Sequence, residues 1–267
     1  MKTLYSTPGS IAFGKYKPYF VDAAIGHGAK MNTELCERLV LQYSSPGDII
    51  LDPMNGIGTT TILGGVLGRM TVGLELNSDY FKLSSLSRLK CPPSIRRRIY
   101  HYNQDARVMK EALSDLGVPG VDAIITSPPY ADALTGETNK FHRSMPHGYG
   151  PDKKNVGNYP IPKWYWTLSQ IYPEAVRWLK PGGYMVVVVK KLFKCFWPVH
   201  LDHLIKDLYR EMDLNVVEEW RFRIPMISMF RRIYAKKYKD IIPQEMLDMV
   251  SWYEYVVVGQ KRIFING

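Results

Sequence analysis

The chain has 267 residues, 46% of them hydrophobic, and 35 Lys+Arg against 25 Asp+Glu give a formal net charge of +10. This length and composition fit one sizeable α/β domain with a buried core and exclude a disordered chain or two comfortable domains. The longest purely apolar run, Met185–Val189, falls far short of the ~20 residues that span a bilayer, and the start carries Pro8, Gly9 and Gly14 instead of an apolar signal core. Neither a membrane partner nor secretion is expected. Cys36, Cys91 and Cys195 are scattered and lack CxxC spacing, which suits a reducing cytoplasm better than a disulfide framework. The positive excess is uneven, +3 over residues 1–130 and +7 over 131–267, and a basic surface favours polyanions by counterion release.

In chain order, Thr33–Tyr43 reads as an amphipathic helix with Leu35, Leu39 and Gln42 along one side and Asn32 or Thr33 as its cap. Short apolar runs at Ile49–Leu51, Thr71–Leu76, Val121–Thr126 and Tyr184–Lys190 read as strands. Helical stretches separate or follow them at Thr59–Leu67, Tyr80–Leu89, Val108–Leu116, Trp164–Leu179 and Leu201–Met212. Strand alternating with helix predicts a doubly wound, mostly parallel sheet. The last two runs, Asn215–Phe222 and Tyr253–Arg262, have no long crossover helix between them and are expected to pair as an antiparallel hairpin. Residues 1–267 thus form a single expected domain, with inserted polar segments at about 131–162 and 225–249. Inserts this long inside a compact domain are usually functional or disordered.

Asp52-Pro53-Met54-Asn55-Gly56-Ile57-Gly58-Thr59-Thr60 follows a predicted strand and opens a predicted helix. Its glycines allow a tight turn and close approach to a ligand, and the helix start offers free N–H groups. A glycine pair in such a turn often serves packing alone. The next strand, however, ends Gly73-Leu74-Glu75-Leu76-Asn77, where doubly wound nucleotide folds hold a ribose diol. The third strand region ends Asn103-Gln104-Asp105-Ala106. Each acid singly could be a helix cap; three at successive strand ends point to a nucleotide-like cofactor.

Strand Val121–Thr126 runs into Ser127-Pro128-Pro129-Tyr130. An exocyclic amine on a base is a poor nucleophile because its lone pair is delocalised into the ring. Acceptors that orient its N–H bonds free the lone pair, and the Ser127 hydroxyl and the Pro128 carbonyl can supply them. Pro128 and Pro129 have fixed φ and no N–H, so the turn is stiff. Tyr130 offers a flat face for a flipped base.

The order Asp-Pro-x-x-Gly-x-Gly-Thr-Thr, strand-Glu, Ser-Pro-Pro-Tyr resembles the class I S-adenosylmethionine-dependent amino-methyltransferases of the N4-cytosine/N6-adenine type. The likeness runs from about Gly26 to Lys190. It implies S-adenosyl-L-methionine as cofactor, held by Lys30, Asp52, Pro53, Asn55, Gly56, Gly58, Thr59, Thr60, Glu75, Leu76, Asp105, Ala106 and Ser127. Glu75 would hold the ribose hydroxyls, Asp105 the adenine, and Gly56 and Gly58 the methionine portion. His27-Gly28-Ala29-Lys30-Met31 is similar to the family's leading motif, with Gly28 where proline is commoner; Ile57 likewise replaces a small polar residue. Ser127, Pro128, Pro129 and Tyr130 would carry catalysis.

Ser at the head of that turn leans, by resemblance, toward cytosine N4. A C5-cytosine mechanism needs a Pro-Cys thiolate, and Cys91 precedes its proline while Cys195 follows a lysine. His142, Arg143, Lys153, Lys154, Arg231, Arg232, Lys236 and Lys237, in the basic inserted segments, are the expected substrate contacts. No separate module for reading major-groove edges stands out, so structured RNA is favoured over DNA. With only five Gln, a thermophile-like trait, the chain resembles an archaeal ribosomal RNA cytosine-N4 methyltransferase, a resemblance that admits the dimethylated product and action within a ribosomal particle. The alternatives are a DNA N4-cytosine or N6-adenine enzyme and a protein glutamine methyltransferase. His200 and His203, three apart on a helix, fit surface or cap positions, and no metal is expected.

Overall fold

The computed structural model describes residues 1–7, 13–25, 30–130, 153–194, 197–224, 239–240 and 242–263. Its strands are β1 Lys2–Tyr5, β2 Ile49–Asp52, β3 Met70–Leu74, β4 Ile99–Tyr102, β5 Val121–Thr126, β6 Leu179–Val189, β7 Lys191–Lys194, β8 Trp197–His200, β9 Leu214–Arg223 and β10 Tyr253–Lys261. Its α-helices are α1 Asp22–Ile25, α2 Thr33–Tyr43, α3 Thr59–Val66, α4 Ser78–Lys90, α5 Pro93–Arg96, α6 Met109–Asp115, α7 Ile161–Trp178, α8 Leu201–Glu211 and α9 Gln244–Trp252.

Eight strands form one sheet in the order β1-β9-β10-β6-β5-β2-β3-β4, and β7 and β8 form a separate antiparallel pair. The stretch from β6 to β4 is parallel throughout. β10 inserts antiparallel between β6 and β9, so the expected C-terminal hairpin is present. β1 adds a parallel edge to β9.

Alternation along the strands explains why helices cover both faces. Ile50, Ala123, Ile125, Val186 and Val188 face a core shared with Leu35 and Leu39 of α2, Ile62 and Leu63 of α3 and Tyr80 of α4. Leu51, Ile124, Met185 and Val187 face the opposite core, with Leu113 of α6, Trp164, Leu168 and Tyr172 of α7, and Ile205 and Tyr209 of α8. Strands buried on both faces read as continuous apolar runs, which is how they stood out in the sequence. α2 begins where Asn32 Oδ1 accepts the N–H groups of Glu34 (2.9 Å) and Leu35 (3.1 Å), and Asn77 caps α4 in the same way.

Several expectations shift. β6 starts at Leu179, five residues before the expected strand, and α7 starts at Ile161. Residues 131–152 of the first expected insert lie outside the described residues, but its end is structure: Val156–Asn158 forms a 3-10 turn with Asn155, Val156 and Gly157 buried. Residues 225–238 and 241 of the second expected insert lie outside the described residues, and its end enters α9, an amphipathic helix of nine residues whose short length hid it. β1 also went unread. Four residues without period carry no signal, and they are held by backbone pairing to β9 and by Arg221 Nε donating to Thr3 Oγ1 at 2.8 Å.

Candidate active site

Chain order reverses between β2 and β5, which lie side by side, so the C-terminal ends of β2, β3 and β5 open onto a crevice. A cleft open to solvent is lined there by Pro53, Met54, Gly56, Glu75, Leu76, Asp105, Ala106 and the whole Ser127–Tyr130 turn. A second hollow beside it is lined by Lys30, Asp52, Asn55, Ile57, Thr59 and Thr60, and Gly56 and Ser127 border both.

The loop after β2 is shaped by two left-handed glycines, Gly56 at φ +54° and Gly58 at φ +87°. A side chain at Gly56 would meet open space, as a wall of a ligand cleft requires. Gly58 is placed differently from Gly56. It lines neither hollow, and a Cβ there would crowd Ser84 Cβ at 3.1 Å, so it closes the turn against α4. Behind the loop, Thr61 donates to Asn55 Oδ1 (2.8 Å) and lies 2.8 Å from His101 Nε2. Burial, with the nearby Arg88 charge adding to it, lowers His101 to about 3, so the ring is neutral.

Three carboxylates stand at successive strand ends. Asp52 is buried and accepts from Thr126 Oγ1 at 2.7 Å and Met54 N–H at 3.1 Å; burial pushes it up to about 6 against those bonds. Glu75 is half-buried in the cleft wall. It accepts from Gly56 N–H (2.7 Å) and Asn77 N–H (2.8 Å), yet burial still pushes it up to about 7. Asp105 accepts from the Arg107 backbone N–H (3.0 Å) and its guanidinium, with Nη2 at 2.5 Å. Burial raises the Asp105 carboxyl, but these bonds outweigh it and hold it below the ordinary value. The acceptor expected for an adenine thus already has a partner, and Arg107, which the sequence reading passed over, lines the same cleft. Lys30 donates to the Ile25 carbonyl at 2.9 Å, and burial lowers its ammonium to about 8.

In the turn after β5, Ser127 Oγ and Tyr130 OH lie 3.2 Å apart, and Trp164 Nε1 donates to the Pro129 carbonyl at 2.7 Å. That bond pins the turn to α7, whose Thr167 and Ile171 also line the cleft together with Asn155 and Val156. Of the expected substrate contacts, Lys154 lines the cleft and Lys153 does not. His142, Arg143, Arg231, Arg232, Lys236 and Lys237 lie outside the described residues, as do His27, Gly28 and Ala29. His200 and His203 flank a fully buried Asp202, each with a ring nitrogen 3.9 Å from it. The Lys191 ammonium, 3.4 Å from the same carboxylate, is the positive charge that compensates it.

A family model described as "DNA methylase", covering N6/N4 methyltransferases, matches residues 15–86. Over 76 residues, 28% of this chain and 26% of the relative, the chain is 36% identical to DNA adenine methyltransferase YhdJ of Escherichia coli K12. Over 139 residues, 50% of this chain and 39% of the relative, it is 34% identical to tRNA (guanine(10)-N2)-dimethyltransferase of Methanocaldococcus jannaschii. These matches therefore span less than half the length of either relative. Among solved structures, TrmN from Thermus thermophilus aligns over 92% of this chain and 52% of its own at TM-score 0.50 and 16% identity. A putative rRNA methylase from Clostridium thermocellum aligns over 88% and 98% at TM-score 0.51 and 11% identity. The chain has the class I fold of S-adenosylmethionine-dependent methyltransferases, and within it residues 15–86 are similar to the N6/N4 methyltransferases.

Proposed function

We propose that the protein transfers methyl groups from S-adenosyl-L-methionine to the exocyclic N4 of cytosine in RNA, with ribosomal RNA as the expected substrate. The observation that carries this reading is the Ser127–Tyr130 turn, pinned by Trp164 at the mouth of a cleft whose other walls fit the cofactor. The fit rests on chemistry the residues present: an open glycine wall at Gly56, a carboxylate at Glu75 with acceptor capacity left beyond its two N–H bonds, and an ammonium at Lys30. Glu75 would hold the ribose hydroxyls, Lys30 the carboxylate end, and Ala106 and Leu76 the adenine faces, with Asp105 bonded at its edge. The cofactor supplies an activated methyl group.

The chain's own work is orientation. A cytosine amine must present its lone pair while Ser127 Oγ and the Pro128 carbonyl accept its two N–H bonds. Tyr130 holds the ring by stacking, and one amine proton then leaves to solvent. Holding reactants in this alignment is worth several orders of magnitude in effective concentration and requires no strong base. RNA is favoured because the match to the tRNA enzyme runs for 139 residues, against 76 for the DNA enzyme. That same match supports a second reading, transfer to guanine N2.

Incubation with methyl-labelled cofactor and total RNA, or genomic DNA, followed by nucleoside mass spectrometry tests both readings. N4-methylcytidine in RNA is the expected product. Label confined to DNA, or to guanine or adenine, would overturn the cytosine-RNA assignment.

A further inference from the structure

The strands β5 and β6 run side by side, with Thr126 opposite Val187, so the residues just past their ends are neighbours. Tyr130 follows β5 and Lys190 follows β6. The Lys190 ammonium stands 4.8 Å from the centroid of the Tyr130 ring. It is anchored from below, since its Nζ lies 3.7 Å from Oε1 of Glu254, a carboxylate only 4% exposed at the start of β10. Tyr130 lines the cleft, whereas Lys190 is absent from the residues that form its walls. The ammonium is therefore placed to brace the ring without itself lining the cleft.

We propose that Lys190, held by Glu254, is a positioning residue that fixes the Tyr130 ring as the stacking platform for the target base. A cation over a ring face within about 6 Å is attracted by the ring quadrupole, and the attraction grows when the pair is shielded from water. The lysine side chain here is 18% exposed, so the contact is largely shielded. The carboxylate has a second use. Methyl transfer moves a positive charge toward the base, and an uncompensated ammonium against the ring would oppose it. Glu254 neutralises the ammonium, so the platform is stiffened without an added charge facing the reaction. The proposal rests on the methyltransferase reading of the cleft.

The test uses the full chain and four variants, Lys190→Met, Lys190→Arg, Tyr130→Leu and the double variant Lys190→Met/Tyr130→Leu. Initial rates of label transfer to total RNA and to genomic DNA are read as KM and kcat, alongside cofactor affinity by calorimetry. Lys190→Met should raise the KM for nucleic acid by roughly three- to tenfold with cofactor affinity unchanged, and Lys190→Arg should restore most of it. In the Tyr130→Leu background the lysine substitution should add nothing further, because the platform it positions is gone. An additive double variant would mean that Lys190 touches the nucleic acid directly, and wild-type kinetics in Lys190→Met would mean that it does nothing; either overturns the proposal. A second readout is independent of turnover. The ring signal of Tyr130 in tyrosine-labelled protein, identified by its loss in Tyr130→Phe, should shift in Lys190→Met and return in Lys190→Arg. If the wild-type protein transfers no label, the methyltransferase reading falls, and an unmoved ring signal would separately remove the contact.

Discussion

Glu75 Oε2 accepts the backbone N–H of Gly56 at 2.7 Å, tying the glycine loop after β2 to the end of β3 across 19 residues of sequence. The bond places the carboxylate under the loop and keeps its second oxygen on Asn77 N–H. Because the wall is half-buried, that geometry comes with a proton affinity near neutrality. The cleft thus holds a carboxyl raised to about 7, and the hollow beside it holds, at Lys30, an ammonium lowered to about 8.

Cofactor affinity is expected to be bell-shaped in pH. Burial raises Glu75, so its charged, doubly accepting form appears only as pH rises through about 7. Burial lowers Lys30, so its charge is lost as pH rises through about 8. Binding should therefore be tightest between those values and weaken on both sides. Glu75→Gln should flatten the acid limb and cost roughly tenfold at the optimum, and Lys30→Met should flatten the alkaline limb. Calorimetry from pH 6 to 9 decides it, and identical profiles in wild type and both variants would remove these two residues from the site.

Two glycines in the same region should fail in different ways. A Cβ on Gly73 would sit 2.5 Å from Asn55 Cγ, and Asn55 cannot swing away without losing its bond from Thr61. Gly73→Ala should cost ~1–3 kcal/mol of stability, the usual range for overpacking. Gly56→Ala meets open space but must hold φ +54°, for about 1 kcal/mol, while its methyl group enters the cleft. Thermal melts should therefore fall further for Gly73→Ala, and cofactor titration should suffer more for Gly56→Ala. The reverse ranking would contradict the loop geometry.

What was legible in the sequence was what lies close along the chain or repeats with a period. The segment from Asp52 to Thr60, Glu75 and the Ser127–Tyr130 turn each end a strand, and all of these residues except Gly58 line the cleft or the hollow beside it. Thr167 and Ile171 were not legible, because α7 reaches the cleft through tertiary packing and no local pattern distinguishes their face from ordinary core. Arg107 had a readable signal. An Asp followed two residues later by Arg at a helix start is an ion pair in waiting, and the structure forms it. The Lys190–Tyr130 contact depends on the register of β5 with β6, which apolar runs alone do not specify.

The turn after β5 predicts a split between binding and turnover. Ser127→Ala should lower kcat by roughly one to two orders of magnitude with little change in cofactor affinity, since orientation of the amine matters in the transition state. Tyr130→Ala should be severe, because stacking is typically worth ~1–3 kcal/mol per base. Tyr130→Phe keeps the ring but loses the hydroxyl that lies 3.2 Å from Ser127 Oγ, so a mild loss is expected. Steady-state kinetics of the three variants checks this, and equal losses in both tyrosine variants would contradict the stacking role.

Two adjacent lysines should separate contact from general attraction. Lys154 lines the cleft together with Asn155 and Val156, and Lys153 does not. Both carry one positive charge, so a purely diffuse attraction would treat them alike. A lysine that neutralises a phosphate releases a counterion, and its removal lowers the slope of log affinity against log salt by roughly 0.7–0.9. Lys154→Ala should therefore weaken nucleic-acid binding and flatten the salt slope by that amount, whereas Lys153→Ala should change the slope far less. Binding isotherms at several salt concentrations, with total RNA and duplex DNA as probes, give both slopes. Equal changes at the two positions would mean that the cleft edge at Lys154 makes no direct phosphate contact. An affinity indifferent to salt in the wild-type protein would point away from nucleic acid altogether.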